Sequence, residues 1–212
     1  MRASRTFLSL VSKLRHRSAR ELILGIGLVV APSLLVVLYA YHVGQERGQY
    51  IFVVMLEGAV CLFVFALVIA FGVLDRIVAL ISAMVASALC FILCGAYSSE
   101  AYLAGLSRAA ANREFIGELS GWIYSAENSS WLEHNGKRSL NPPDLPQFLY
   151  VWIGRPRCKL PWVHIYDHSA FPGQVPSPRT FEFGSIGIAF GFEPHTARRK
   201  VQDGVYVFLV ER

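Results

Sequence analysis

Charge is scarce in this sequence: only 17% of its 212 residues are Asp, Glu, Lys or Arg, where an ordinary soluble domain carries about 25%. Cysteine is scarce as well. Of four cysteines, Cys61, Cys90 and Cys94 fall in apolar runs, which leaves Cys158 as the one thiol elsewhere. A disulfide within the C-terminal half is therefore excluded, and with it the stapled frameworks common among small secreted domains. The chain also lacks a glycine-rich phosphate loop, a nucleophile elbow, a haem-attachment motif and any internal repeat in its second half. These absences remove the enzyme classes that such motifs announce.

Long hydrophobic runs, by contrast, fill the first half, over 22–43, 51–74 and 77–97. A helix of roughly 20 apolar residues crosses a ~30 Å hydrocarbon core, and stretches nearly free of charge insert at low cost. The sequence therefore predicts a three-helix membrane bundle. The first run exceeds the 7–15 residues (about) of a signal core, and Tyr39, Ala40, Tyr41 and His42 offer no small-residue cleavage site, so it is expected to be a retained helix. Composition shifts at Ser98, where Pro, Arg and Asn become common. The expected organisation is a basic tail over 1–21, the bundle over 22–97 and a soluble domain over 98–212.

The net charge of +5 is concentrated at the N-terminus. Residues 1–21 hold six Lys/Arg and one acid, whereas 98–212 hold twelve Lys/Arg and eleven Asp/Glu. Such a tail reads as a topology signal beside anionic headgroups rather than a nucleic-acid site, because no basic face with aromatic platforms recurs elsewhere. Lys/Arg enrichment on cytoplasmic flanks puts the N-terminus inside. Three crossings then put 98–212 outside the cytoplasmic (inner) membrane, in the periplasm of a Gram-negative cell.

Within the runs, Ser82, Ala86, Cys90 and Cys94 recur every fourth residue and form a stripe of small side chains on the third helix. Small residues let membrane helices approach closely. The stripe is expected to pack on the other two helices or, as a second reading, to seam an oligomer. Pro32 predicts a kink in the first helix. Glu57 is the one ionisable residue clearly inside a run. Intramembrane acids are candidates for proton or ion chemistry, although a hydrogen bond to a neighbouring helix accounts for one equally well.

In the second half, Leu106, Ala109, Ile116, Leu119 and Ile123 recur near the helical period and predict a helix over 99–125, either capped by Ser98 or Ser99 or continuing the third membrane helix as a stalk. Residues 128–146 read as loop. Strands are expected over 148–153, 162–166, 180–192 and 204–210. In the third of these, Ile186, Ile188, Phe190 and Phe192 alternate with Gly187, Ala189 and Gly191, which leaves one face nearly bare for a helix or a partner. Phe181 and Phe183 have the opposite parity, so Gly184-Ser185 must hold a bulge or a tight turn. Apolar on both faces, 205–210 reads as an interior strand. A helix followed by strands gives the fold class: membrane α-helical, with a small α+β domain built on a mostly antiparallel sheet.

Three candidate sites emerge. His164, Asp167 and His168 lie close enough in sequence to seat a metal, but their spacing matches no zinc signature and turn or hydrogen-bond roles explain them as well. Cys158, between Arg157 and Lys159, has cationic neighbours that lower a thiol pKa, without a recognised nucleophile signature. Arg198, Arg199 and Lys200 are placed to meet an acidic partner or anionic headgroups, or simply to solvate a hairpin. The functional expectation is a non-enzymatic membrane protein, without cofactor or nucleic-acid partner, whose outer domain binds a protein, as an envelope-complex subunit or a toxin-neutralising protein. Self-association through the membrane helices is a further partner expectation. The alternative is a membrane effector with a cytosolic β-rich sensor domain that drives helix assembly.

Overall fold

The computed structural model describes residues 19–70, 76–154, 162–168 and 177–210. The basic tail before Ala19, the Asp75 turn, and Cys158 with its cationic neighbours lie outside the described residues. Among the described residues three helices are long and apolar enough to cross a membrane: α1 (Ala19–Gln45), α2 (Ile51–Ala70) and α3 (Arg76–Ala110). No more than 22% of any spanning segment is buried within the protein. Leu35, Met55, Leu62, Met84 and Ile92 are all at least 60% exposed. In water such surfaces would be strongly unfavourable; this is a membrane protein.

Interior positions repeat at helical spacing. Val36 and Ala40 of α1, Val53 and Val64 of α2, and Cys90 and Cys94 of α3 are fully buried. Helix α1 runs parallel to α3 and crosses it closely at Gly44 and Gly105. A Cβ on Gly44 would overlap the Tyr102 carbonyl, and one on Gly105 would overlap the Tyr41 carbonyl. Without side chains here the two backbones touch, the device that drives membrane helices together when no hydrophobic effect separates lipid from protein. Helix α2 returns antiparallel; its Cys61 carbonyl accepts a hydrogen bond from Ser87 Oγ of α3 at 2.9 Å. Helix α1 continues through Pro32, and Ser33 Oγ donates to the Val29 carbonyl at 2.8 Å.

Helix α3 continues past Tyr97 without a break, but it stays packed on the end of α1 as far as Gly105 and ends at Ala110. Asn112 then caps a separate helix, α4 (Arg113–Ile123), its side chain accepting from Glu114 N at 3.0 Å. The periodicity over 99–125 therefore belongs to two helices. Residues read as loop contain α5 (Ala126–Asn135), which ends in a left-handed Gly136 at φ 66°. The run at 148–153 is not a strand: it forms α6 (Gln147–Ile153), closed by left-handed Gly154. A short apolar run fits either state, and here Leu149, Trp152 and Ile153 share a buried helical face.

The sheet has six antiparallel strands: β1 (Lys137–Leu140), β2 (Val163–Asp167), β3 (Arg179–Phe183), β4 (Ile186–Phe190), β5 (Arg198–Gln202) and β6 (Val205–Leu209), in spatial order β1-β2-β3-β4-β6-β5. Gly184-Ser185 forms the tight turn, with Gly184 at φ 60°, and this turn reverses the parity as the sequence requires. One sheet face, built on Val163, Ile165, Phe181, Phe183, Ile186, Ile188 and Val207, is fully buried. Helices α4 and α6 cover it. Phe115 stacks on Trp152 with centroids 4.2 Å apart, and Trp122 meets the Phe181 ring edge-on. The opposite face of β4 is bare but not vacant: the Phe208 ring lies across Gly187, where a Cβ would collide with it, and every β4 residue is buried. The expected docking face is thus occupied within the chain, by the Phe208 ring at Gly187 and by helix α3, which packs against β5 and β6.

Candidate functional site

The membrane bundle and the sheet are fastened by the five-residue connection between α1 and α2. Ser185 N in the β3–β4 turn donates to Gln49 Oε1 at 3.1 Å, and Tyr50 N donates to Ser185 Oγ at 3.0 Å. Arg47, itself held at φ 57°, places its guanidinium 5.6 Å from the Trp152 ring centroid of α6. Burial lowers the Arg47 pKa against the opposing pull of Glu46. Trp152 Nε1 in turn donates to the Ala109 carbonyl of α3 at 3.2 Å. Two polar pairs, a cation–π contact and a continuous helix therefore join the two parts, a coupling that a flexible linker would not provide.

From this junction a polar chain descends into the bundle. Tyr50 and Ser98 hydroxyls are 3.1 Å apart, and Ser98 Oγ donates to the Glu57 carboxylate. Tyr102 packs edge-on against Tyr50 and donates to the Gly48 carbonyl at 2.7 Å. Glu57 is buried between helices. The hydrogen bond from Ser98 of α3 satisfies its carboxylate across the helix pair. The small-residue stripe likewise turns inward at Cys90 and Cys94, both fully buried, with Ser33 Oγ of α1 3.3 Å from Cys90 Sγ. Ser82 and Ala86, further along the stripe, are half-buried, so intrachain packing occupies most of it.

The sheet separates the candidate metal ligands. His164 lies on the polar face, with Nδ1 2.9 Å from Ser139 Oγ, and is in register with Glu182. Asp167 sits at the opposite parity and pairs with buried Arg179 at 3.6 Å. His168, just beyond β2, places Nε2 3.2 Å from Thr180 Oγ1 and packs on Phe192. Among the described residues no group of three His, Cys, Asp or Glu side chains is arranged to hold a metal ion. Burial lowers the His168 pKa, partly countered by Asp167, and favours the neutral ring.

Arg179 is the structural hub that the sequence concealed. It donates to the Ile123 carbonyl at 2.7 Å and lies 4.6 Å from the Tyr124 ring centroid. The end of α4, the α5 start and two strands therefore converge on one guanidinium. Its planar fork suits several fixed acceptors at once. The only available sequence signal was an Arg amid the apolar alternation of β3.

Arg198, Arg199 and Lys200 form exposed edge strand β5 rather than a hairpin tip. Arg198 Nε pairs with Glu193 at 2.7 Å and Lys200 Nζ with Asp203 at 2.6 Å. Basic residues on both sheet edges, here and at Lys137 and Arg138, are what guards exposed strands against edge-to-edge pairing. No family model, curated protein or solved structure matches the chain.

Proposed function

We propose that this chain is a non-enzymatic binding protein of the cytoplasmic (inner) membrane whose extracytoplasmic sheet domain engages a protein partner and passes that engagement to its helices. The supporting observation is the junction of Gln49, Tyr50 and Ser185. It rigidly seats a domain on the bundle, so displacement of the β3–β4 turn is felt by α1 and α2 directly. Apolar side chains remain exposed on the sheet domain for a partner: Val151 is 74% and Trp131 42% exposed. The basic N-terminal tail supports the outward placement of the domain.

Photocrosslinking in intact cells tests the reading. A crosslinking amino acid at Val151, Trp131 or Arg199 is expected to give a discrete protein adduct. The same residue at lipid-facing Met55 is expected to give none. Failure at all three sheet-domain positions would overturn partner binding. The same junction also favours a second reading, a cytosolic sensor domain that drives helix assembly; growth arrest on expression, together with an inward-facing domain, would select it.

A further inference from the structure

An open groove of about 550 Å³ lies between the outer part of α3 and β5. It is a shallow groove open to its surroundings rather than an enclosed cavity. Its position relative to the bilayer follows from helix register. Ser98 is level with Glu57, the seventh residue of α2, and Gly105 is level with Tyr41 and Gln45 at the end of α1. Glu100, in the groove wall, lies between these levels. At ~1.5 Å rise per residue it stands about 6 Å below the first residue of α2. Tyr97, one turn deeper on α3, is 59% exposed, and Trp162, at the sheet end that carries the docked turn, is 54% exposed. Aromatic side chains of this kind concentrate at the headgroup level.

The wall carries two carboxylates, Glu100 and Glu193, and two cations, Arg198 and Lys200. Arg198 and Lys200 project from one face of β5, and Glu100 faces them from α3. Arg198 is balanced by Glu193 and Lys200 by Asp203, whereas Glu100 makes no ion pair among the described residues. Thr196 Oγ1, also in the wall, is buried without a hydrogen-bond partner among the described residues. The groove therefore offers a carboxylate without an ion pair, an unused hydroxyl, and two cations whose exposed carboxylate partners, Glu193 and Asp203, an anion would have to displace, at the small cost of a surface ion pair.

We infer that this groove binds the headgroup of a zwitterionic, amine-bearing phospholipid, with the ammonium on Glu100 and the phosphate on Arg198 and Lys200. The site holds for either orientation of the chain, since both leaflets present headgroups at this depth. Its occupant would clamp the edge of the sheet to the membrane beside α3.

The test uses the full chain in nanodiscs of equimolar phosphatidylethanolamine and phosphatidylglycerol, followed by gentle detergent release and native mass spectrometry. The expected result is one phosphatidylethanolamine retained per chain, enriched about tenfold over phosphatidylglycerol, as about 1.4 kcal/mol of differential binding gives. Glu100→Gln/Lys200→Gln, at exposed positions where folding is unaffected, should return the ratio to that of the supply; an unchanged melting temperature verifies the fold. Millimolar inorganic phosphate should leave the retained lipid in place. Retention in proportion to supply, an unaltered ratio in the double variant, or displacement by phosphate alone would each overturn the assignment.

Discussion

Gly105→Ala isolates the crossing on which the bundle depends. The added Cβ would overlap the Tyr41 carbonyl oxygen and sit 2.7 Å from Gln45 N, against an ordinary contact of about 3.5 Å. Both neighbours are helix backbone, so relief requires α1 and α3 to part. That separation loosens Tyr102 from the Gly48 carbonyl, one residue before Gln49 of the junction. Overpacking of this kind costs about 1–3 kcal/mol. Gly95 on the same helix is the internal control, because a Cβ there meets nothing within 4 Å. Gly95→Ala should be neutral or stabilising by up to about 1 kcal/mol from helix propensity. Both substitutions change the unfolded chain and the helix propensity alike, so the difference between them, about 1–3 kcal/mol, reports native packing. Buried Cys61, Cys90 and Cys94 supply the assay. In a Cys158→Ser background, a thiol-reactive fluorogenic dye reports bundle opening during a thermal ramp in detergent. At about 2–4 °C per kcal/mol the two variants should be separated by several degrees. Equal melting temperatures would refute the close crossing.

Three further outcomes follow from the sheet domain. Arg179→Ala should destabilise the chain by about 3–5 kcal/mol in denaturant titration, because it leaves the Asp167 carboxylate buried without its cation. Asp167→Asn, which retains an acceptor, should cost less. His168 should make stability fall on acidification. Its folded pKa lies below the ordinary 6.5, so the unfolded chain takes up the proton first; the native state is favoured above about 6.5 and loses ground as pH drops towards the depressed value. His168→Gln should flatten that part of the profile, measured between pH 7 and 5 (roughly). Gln49→Ala should strand the Ser185 amide at a cost of about 1–3 kcal/mol and raise hydrogen exchange selectively over 184–186.

Much of the architecture was legible because its physics is local. Charge-free runs of bilayer length specified the three helices, and the parity change at Gly184-Ser185 specified a turn between two strands. Edge strands β1 and β5 were not legible, since Lys137-Arg138 and Arg198-Arg199-Lys200 look like solvated loops until the pairing with β2 and β6 is known. Helix α5 was hidden for the same reason: Asn128 and Ser129 disfavour helix locally, but Asn128 Nδ2 donates to the Trp122 carbonyl at 2.6 Å and accepts from Arg138 through Oδ1. The apolar run of α6 was ambiguous because its length suits strand and helix alike. Among the candidate site residues, Glu57 stood out in the sequence as an acid within an apolar run, but its burial, its partner Ser98 and the Tyr50 hydroxyl beyond Ser98 became visible only with the antiparallel register of α2 and α3. The separation of His164 from Asp167 follows from strand parity, but only once the segment is known to be a strand throughout.

The outward placement of the sheet domain is the central claim about function, and Val151 provides its most direct test. Val151→Cys in a Cys158→Ser background creates one accessible thiol, because that position is 74% exposed and the three remaining cysteines are buried in the bundle. A membrane-impermeant maleimide applied to intact spheroplasts should label it fully. Labelling that appears only after lysis would put the domain in the cytosol and contradict the account.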